Sequence, residues 1–195
     1  LISYNHPLRS KNLINKFITK LIFSMYDKIV FYTEKSMVYS RNQHLIDIHK
    51  SSFANNTLFF QSPNYKSIIK DLKTVPFTLI YIGRLRENKK IDKLFDLYTA
   101  FKQRDYNVRL KIIGDGKMSK YIEQKQKIFS GIFWYGRITD ESQIKKHMEE
   151  SHLSVNLGLT GLSIVHSFYY GLPYVTLAHS GHGPEIDYLI DIYKY

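Results

Sequence analysis

The feature that most constrains this chain is a rhythm that starts at Phe77. Short apolar runs, TLIYI, VRLKII, IFWY and LSVNL, alternate with helical patterns from about Lys89 to Gln103, Lys117 to Ile128 and Asp140 to Glu150. Runs this short and apolar, each followed by a helix, are expected of strands buried on both faces of a parallel sheet, with the helices as crossovers. The rhythm closes on Gly158 to Pro173, GLTGLSIVHSFYYGLP, which reads as a glycine turn, a helix and a restart into the β-branched run YVTL. The fold class expected is α/β, a parallel sheet with flanking helices. In such sheets ligands bind in the crevice outside the carboxyl ends of the strands, where helix N-termini offer unpaired N–H groups to anions.

All ten glycines lie at or after Gly83, although the first 82 residues make up two-fifths of the chain. That asymmetry marks two architectures. Asn12 to Tyr26 place Leu13, Ile14, Phe17, Ile18, Leu21, Ile22 and Met25 at helical spacing, with Lys11, Lys16 and Lys20 elsewhere around the wheel. This predicts an amphipathic helix with a basic flank, either docked on an anionic membrane surface or packed in a core with a wet face. A strand at IVFYT, a short helix from Glu34 to Asn42, an alternating stretch at LIDIHKS and a strand at TLFF follow. Pro63, Pro76 and the polar residues around a short helix in YKSIIKDLK place the boundary. Residues 1–62 form a first α/β part, 63–76 a linker and 77–195 the ligand-binding domain.

A formal charge of +11 points to phosphorylated substrates, polyanions or anionic lipid as partners. The lysines are dispersed and no aromatic RNA-binding pattern occurs, so nucleic acid is not expected. The absence of cysteine excludes disulfide and thiolate sites and fits a cytosolic address. No apolar run is long enough to span a membrane, and the N-terminus lacks the order of a signal peptide. Opening without Met, within what reads as a fold, the chain is expected to be a fragment.

Four turns carry candidate chemistry. In GRLRENKK, Gly83 allows a close turn, Arg84 offers a planar fork to phosphate oxygens and Lys89 adds charge near a helix start; the alternative is a solvated basic loop. In IIGDG, Asp115 between Gly114 and Gly116 reads as half a dinucleotide fingerprint or as a tight turn with a helix cap. In FWYGRI, Gly136 and Arg137 follow an aromatic strand whose backbone is placed to meet a base edge; the alternative is that Phe133, Trp134 and Tyr135 are core, which suits Trp134 best. In the last turn Gly158 and Gly161 permit close approach, Ser163 is a candidate cap, and His166 lies one turn into the helix. His179, His182 and Glu185 straddle a glycine turn without ligand spacing, so no metal site is expected. A nicotinamide dehydrogenase is disfavoured, because no glycine fingerprint is completed by an acidic residue about 20 positions on.

Taken in order, IGRLRENKK, IIGDG, FWYGRI, GLTGLSIVHSFYYGLPYVT and GHGPE resemble the C-terminal domain of retaining GT-B glycosyltransferases of the "glycosyl transferases group 1" family. The resemblance covers about Phe77 to Leu189, and residues 1–62 look like the end of that family's N-terminal Rossmann-like domain. It implies a Rossmann-like donor domain, truncated at its C-terminus, and transfer of a sugar from a nucleotide-sugar with retention and without a metal or other cofactor. The acceptor implied is a glycan or lipid-diphosphate-linked sugar, in bacterial surface polysaccharide synthesis. Arg84 and Lys89 match the family's basic pair at the donor diphosphate, Tyr135 to Arg137 its base-contacting segment, and Gly161 and Leu162 its turn at the donor sugar and phosphates. The family's two glutamates fall on Gly158 and His166, and either Glu185 or a backbone amide is the expected substitute for the first. A branch with Gly and His at these places is implied, with His166 toward ribose or phosphate. The same departures leave open a non-catalytic nucleotide-binding module, and a nucleotide-sugar epimerase of the same architecture is a further alternative.

Overall fold

The structure is a computed structural model that describes residues 2–5, 12–58, 76–178 and 181–192. Two compact units emerge, Leu1–Thr57 with Pro184–Tyr195, and Leu58–Gly183.

In the first unit, β1 (Ile2–Asn5), β2 (Lys28–Phe31) and β3 (Ser51–Phe53) form a parallel sheet in that order. β2 is the buried middle strand, with Ile29 and Phe31 packed against Phe23, Met37 and Leu45. Phe23 comes from α1 (Leu13–Ser24), which Asn12 caps by accepting the Ile14 N–H at 2.9 Å. Met37 comes from α2 (Glu34–Asn42), capped by Thr33, whose hydroxyl oxygen accepts the Ser36 N–H at 3.2 Å. α1 forms where the periodicity places it, but only Thr19 and Phe23 are buried. Leu13, Ile14, Phe17, Ile18, Leu21, Ile22 and Met25 all face outward, from 42% exposed at Ile22 to 79% at Leu13.

The second unit has β4 (Phe77–Ile82), α3 (Ile91–Lys102), β5 (Val108–Ile113), α4 (Ser119–Ile128), β6 (Ile132–Trp134), α5 (Glu141–Glu149), β7 (Leu153–Val155), α6 (Ser163–Tyr169) and β8 (Tyr174–Val175). All five strands are parallel, in the order β6-β5-β4-β7-β8. β4 and β5 pair over six residues, from Phe77 opposite Val108 to Ile82 opposite Ile113. Alternate residues feed two cores. Leu79, Tyr81, Leu110 and Ile112 meet Ile91, Leu94, Phe95 and Tyr98 of α3 and Ile122 of α4 on one face. Ile80 and Ile113 meet Ile144, Met148, Tyr170 and Leu172 on the other. The chain steps outward from β4 to β6, then returns to place β7 on the far side of β4. Between the carboxyl ends of β4 and β7 lies the point where the strand order reverses, which is where such sheets bind ligands.

Differences from the expected elements are local. Most of LIDIHKS is turn and a 3₁₀ segment, Ile48–Lys50, with strand only from Ser51. β1 was not anticipated from four residues without a turn signal. Thr57 and Leu58 of TLFF carry no strand, while its last two residues, the helix in YKSIIKDLK and nearly all of the 63–76 linker lie outside the described residues. α7 (Ile186–Ile192) belongs to the first unit, although in sequence it follows the 77–183 part of the chain without a break. Buried Asp187 explains the attachment: its Oδ2 accepts the Thr33 hydroxyl at 2.8 Å, and the Tyr188 hydroxyl donates to the Asn56 carbonyl at 3.0 Å. Among the described residues no helix is long and apolar enough to cross a membrane.

Candidate functional site

The segment after β4 is tied down before it reaches α3. Gly83 N–H donates to the Ile113 carbonyl at 3.0 Å and Leu85 N–H to the Asp115 carbonyl at 2.9 Å. Leu85 is fully buried and plugs the loop into the core beneath it. Residues Glu87–Lys89 make a 3₁₀ turn, and Lys90 closes it at φ 49°, ψ 49°, a left-handed conformation that costs a non-glycine residue about 1 kcal/mol. Arg84 is exposed, and its guanidinium makes no hydrogen bond or ion pair among the described residues. Lys89 is the opposite case. Its Nζ donates to the Leu159 carbonyl, and burial, with the Arg86 charge second, pushes its ammonium below the ordinary lysine value.

Leu159 belongs to the turn after β7, on the other side of the strand reversal. Its N–H donates to the Asn88 carbonyl at 2.9 Å, so the two turns are joined by backbone as well as by Lys89. Gly158 makes this approach possible: a Cβ there would lie 2.4 Å from the Asn88 oxygen and 2.3 Å from the Lys89 carbonyl carbon. Asn156, buried just before it, accepts the Gly158 N–H at 3.2 Å. The glycine is therefore required by packing.

The two intervening turns complete the rim. Gly114 has φ 142° and donates to the Gly136 carbonyl at 2.7 Å; its own carbonyl accepts the Trp134 indole N–H at 2.9 Å. Trp134 thus packs on the core, as expected, with its polar end satisfied. Asp115 is not the cap of α4, which starts at Ser119. Its carboxylate accepts from Gly116 N–H at 2.7 Å and from the Ser119 hydroxyl at 2.5 Å, and those bonds hold its pKa below the usual carboxylate range. Tyr135 and Arg137 are exposed; the Tyr135 ring lies 4.2 Å from that of His147, and burial raises its phenol pKa.

Ser163 does not cap α6. It is the helix's first residue, and its hydroxyl instead joins Thr160 at 3.0 Å and the Tyr174 hydroxyl at 2.8 Å in a largely buried cluster. His166 projects from α6 with Nε2 2.9 Å from Glu141 Oε1, and the Tyr170 hydroxyl donates to the same oxygen at 2.5 Å. Burial and the Glu141 bond both raise the Tyr170 pKa, so the phenol stays a donor. His182 is buried, its Nδ1 accepting the Thr160 N–H at 3.1 Å and its Nε2–H reaching the Leu177 carbonyl at 2.8 Å. Both ring nitrogens are committed to the fold. His179 lies outside the described residues, and among those described no three His, Cys, Asp or Glu side chains converge as metal ligands. Glu185 is buried in the first unit, where it accepts from the Asn56 amide.

Gly83, Arg84, Lys89, Gly158, Gly161, Leu162, Ser163 and His166 therefore sit on turns and helix starts at the carboxyl edge of one sheet, with Tyr135, Gly136 and Arg137 on the same edge beyond β6. Asn156 and Glu141 were missed. Asn156 was hidden inside an apolar strand, and Glu141 read as an ordinary first-turn acid of a helix.

A family model described as "Glycosyl transferases group 1" matches residues 76–189, more than half of the chain. The chain belongs to the glycosyl transferases group 1 family. Solved structures agree with the fold expected of such a member. The lipopolysaccharide outer core galactosyltransferase WaaB is similar with a TM-score of 0.64 at 16% identity, over 90% of this chain and 48% of that one. A mutant of S. aureus TarM, in complex with fondaparinux, alpha-GlcNAc-glycerol and UDP, gives 0.64 at 17% identity over 90% and 36%. Anabaena HepE, in complex with UDP and glucose, gives 0.59 at 15% identity over 98% and 61%. This group 1 chain spans about half the length of WaaB and just over a third of TarM. Comparison with curated protein sequences gives no significant match. The second unit is the C-terminal Rossmann-like domain of a GT-B fold, and the matched segment contains all four candidate turns.

Proposed function

We propose that this chain carries the donor half of a retaining glycosyltransferase, which moves a sugar from a nucleotide-sugar to a glycan or lipid-diphosphate-linked acceptor in bacterial surface polysaccharide synthesis. The observation that carries it is the unpaired guanidinium of Arg84 on the same β4–α3 segment as the Lys89–Leu159 junction, at the strand reversal of a group 1 domain. Transfer requires the sugar–phosphate bond to break with negative charge growing on the diphosphate. A fixed ammonium and a free guanidinium at that point stabilise the leaving group more than the bound donor, which is how binding energy becomes rate. Two cations suffice for that role, so the reaction is proposed to run without a metal. The segment from Tyr135 to Arg137 takes the base, and Gly161 and Leu162 take the sugar and phosphates. UDP in the TarM and HepE complexes supports uridine diphosphate as the first nucleotide to test.

Calorimetry with a panel of nucleoside diphosphates tests the donor site. At least one is expected to bind, and Arg84→Ala to weaken it roughly tenfold or more, the loss of one charge-assisted contact of about 1.5–3 kcal/mol. No binding of any at millimolar concentration would remove the donor site. The second reading, a nucleotide-binding module without turnover, is favoured by the absence of carboxylates at Gly158 and His166. Release of nucleoside diphosphate from a nucleotide-sugar separates the two.

We also propose a cytoplasmic address with peripheral attachment to an anionic membrane through α1. Its six outward apolar residues, with Met25 at its end, are flanked by Lys16 and Lys20, and the helix contains no acid. Vesicles containing anionic lipid should sediment the protein, and Phe17→Asp should abolish this. Retention by neutral vesicles alone, or self-association without vesicle binding, would assign the face to another partner.

A further inference from the structure

We propose that Glu141, held by His166 and Tyr170, is the group that binds the vicinal hydroxyls of the nucleotide's ribose; this rests on the donor site proposed above. Both neighbours reach the same oxygen, His166 Nε2 at 2.9 Å and the Tyr170 hydroxyl at 2.5 Å. Oε2 is left without a partner among the described residues, on a side chain that is 54% exposed. A carboxylate fixed through one oxygen and open at the other is an acceptor for hydroxyl donors, and charged acceptors bind hydroxyls more strongly than neutral ones.

Its place in the sheet gives the hydroxyls their identity. Glu141 opens α5, immediately after the Tyr135–Arg137 segment assigned to the base. His166 lies in α6, immediately after the Gly158–Leu162 turn that locks onto Lys89, where the diphosphate is assigned. α5 and α6 share one face of the sheet through Ile144, Met148, Tyr170 and Leu172, which brings the carboxylate and the imidazole together across 25 residues of sequence. In a nucleoside diphosphate the ribose is the part between base and diphosphate. His166 and Tyr170 are then positioning residues, and the carboxylate itself touches the ligand.

Glu141→Gln isolates the point, because the amide oxygen still accepts from His166 and Tyr170 while its NH2 replaces the open oxygen. Calorimetry would compare UDP with 2′-deoxy-UDP and 3′-deoxy-UDP on the whole chain. The unmodified protein is expected to prefer UDP roughly tenfold or more over at least one deoxy analogue, as for a hydroxyl bound to a charged group. In Glu141→Gln the preference should fall to within about twofold at an unchanged melting temperature. Tyr170→Phe should reduce the preference only partly, since His166 remains. A preference that survives Glu141→Gln, or none in the unmodified protein, overturns the ribose assignment while leaving the donor site standing. Failure of every nucleotide to bind the unmodified protein overturns both.

Discussion

A Gly158→Glu chain is expected to lose nucleotide binding instead of gaining a useful carboxylate. The family resemblance places a glutamate at this position, and restoring it looks like a repair. The structure gives the opposite sign, because any Cβ at 158 falls within 2.4 Å of the Asn88 carbonyl oxygen. That contact is with backbone, so no rotamer relieves it. The Glu87–Lys89 turn must move away, breaking the Leu159–Asn88 backbone bond and withdrawing the Lys89 ammonium from Leu159. Overpacking of this kind costs about 2–4 kcal/mol, and a displaced cation no longer meets the diphosphate. Melting temperature and UDP calorimetry check it together, with Gly158→Ala expected to shift both in the same direction. Affinity and melting temperature unchanged in Gly158→Glu would contradict the packing at the strand reversal.

The second large effect is expected at Gly114→Ala. A Cβ there would sit 1.9 Å from the Gly83 carbonyl oxygen, at a φ of 142° that L side chains rarely adopt. Gly114 also ties strand ends together, donating to the Gly136 carbonyl while accepting from the Trp134 indole. Backbone strain and steric overlap add here, giving a loss of about 3–5 kcal/mol, enough to lower the midpoint of thermal unfolding by roughly 10 °C or more. Gly171 is the matched control: its φ is 63°, but a Cβ meets nothing within 4 Å. Gly171→Ala should cost only about 1–2 kcal/mol of left-handed strain. Equal losses at the two positions would mean that conformation alone, without the clash at Gly83, sets the cost.

Much of the second unit was legible because its physics is local. TLIYI and VRLKII are apolar on both faces, and only a strand flanked by helices on both sides can bury them. The site turns were legible as glycines and basic residues at strand ends. What could not be read was which turns meet. Lys89 and Leu159 lie 70 residues apart, and their contact depends on the chain returning to pair β7 with β4. Periodicity says nothing about that order. Glu141 was hidden for the same reason, since α5 and α6 must share a sheet face before it meets His166. In α1 the periodicity was right and the direction open: the apolar stripe marks a helix, but the residues that pack inward are Thr19 and Phe23.

The bonds among the site turns make them one mechanical unit. Leu85 to Asp115, Gly114 to Gly136 and Leu159 to Asn88 are all main-chain links within the protein. Turns joined through their own main chain share one frame, so a shift in any one of them is passed to its neighbours. Damage to one turn therefore spreads to the others. Substitutions at Gly83, Gly114 and Gly158 should consequently couple, their combined effect departing from the sum of the single ones.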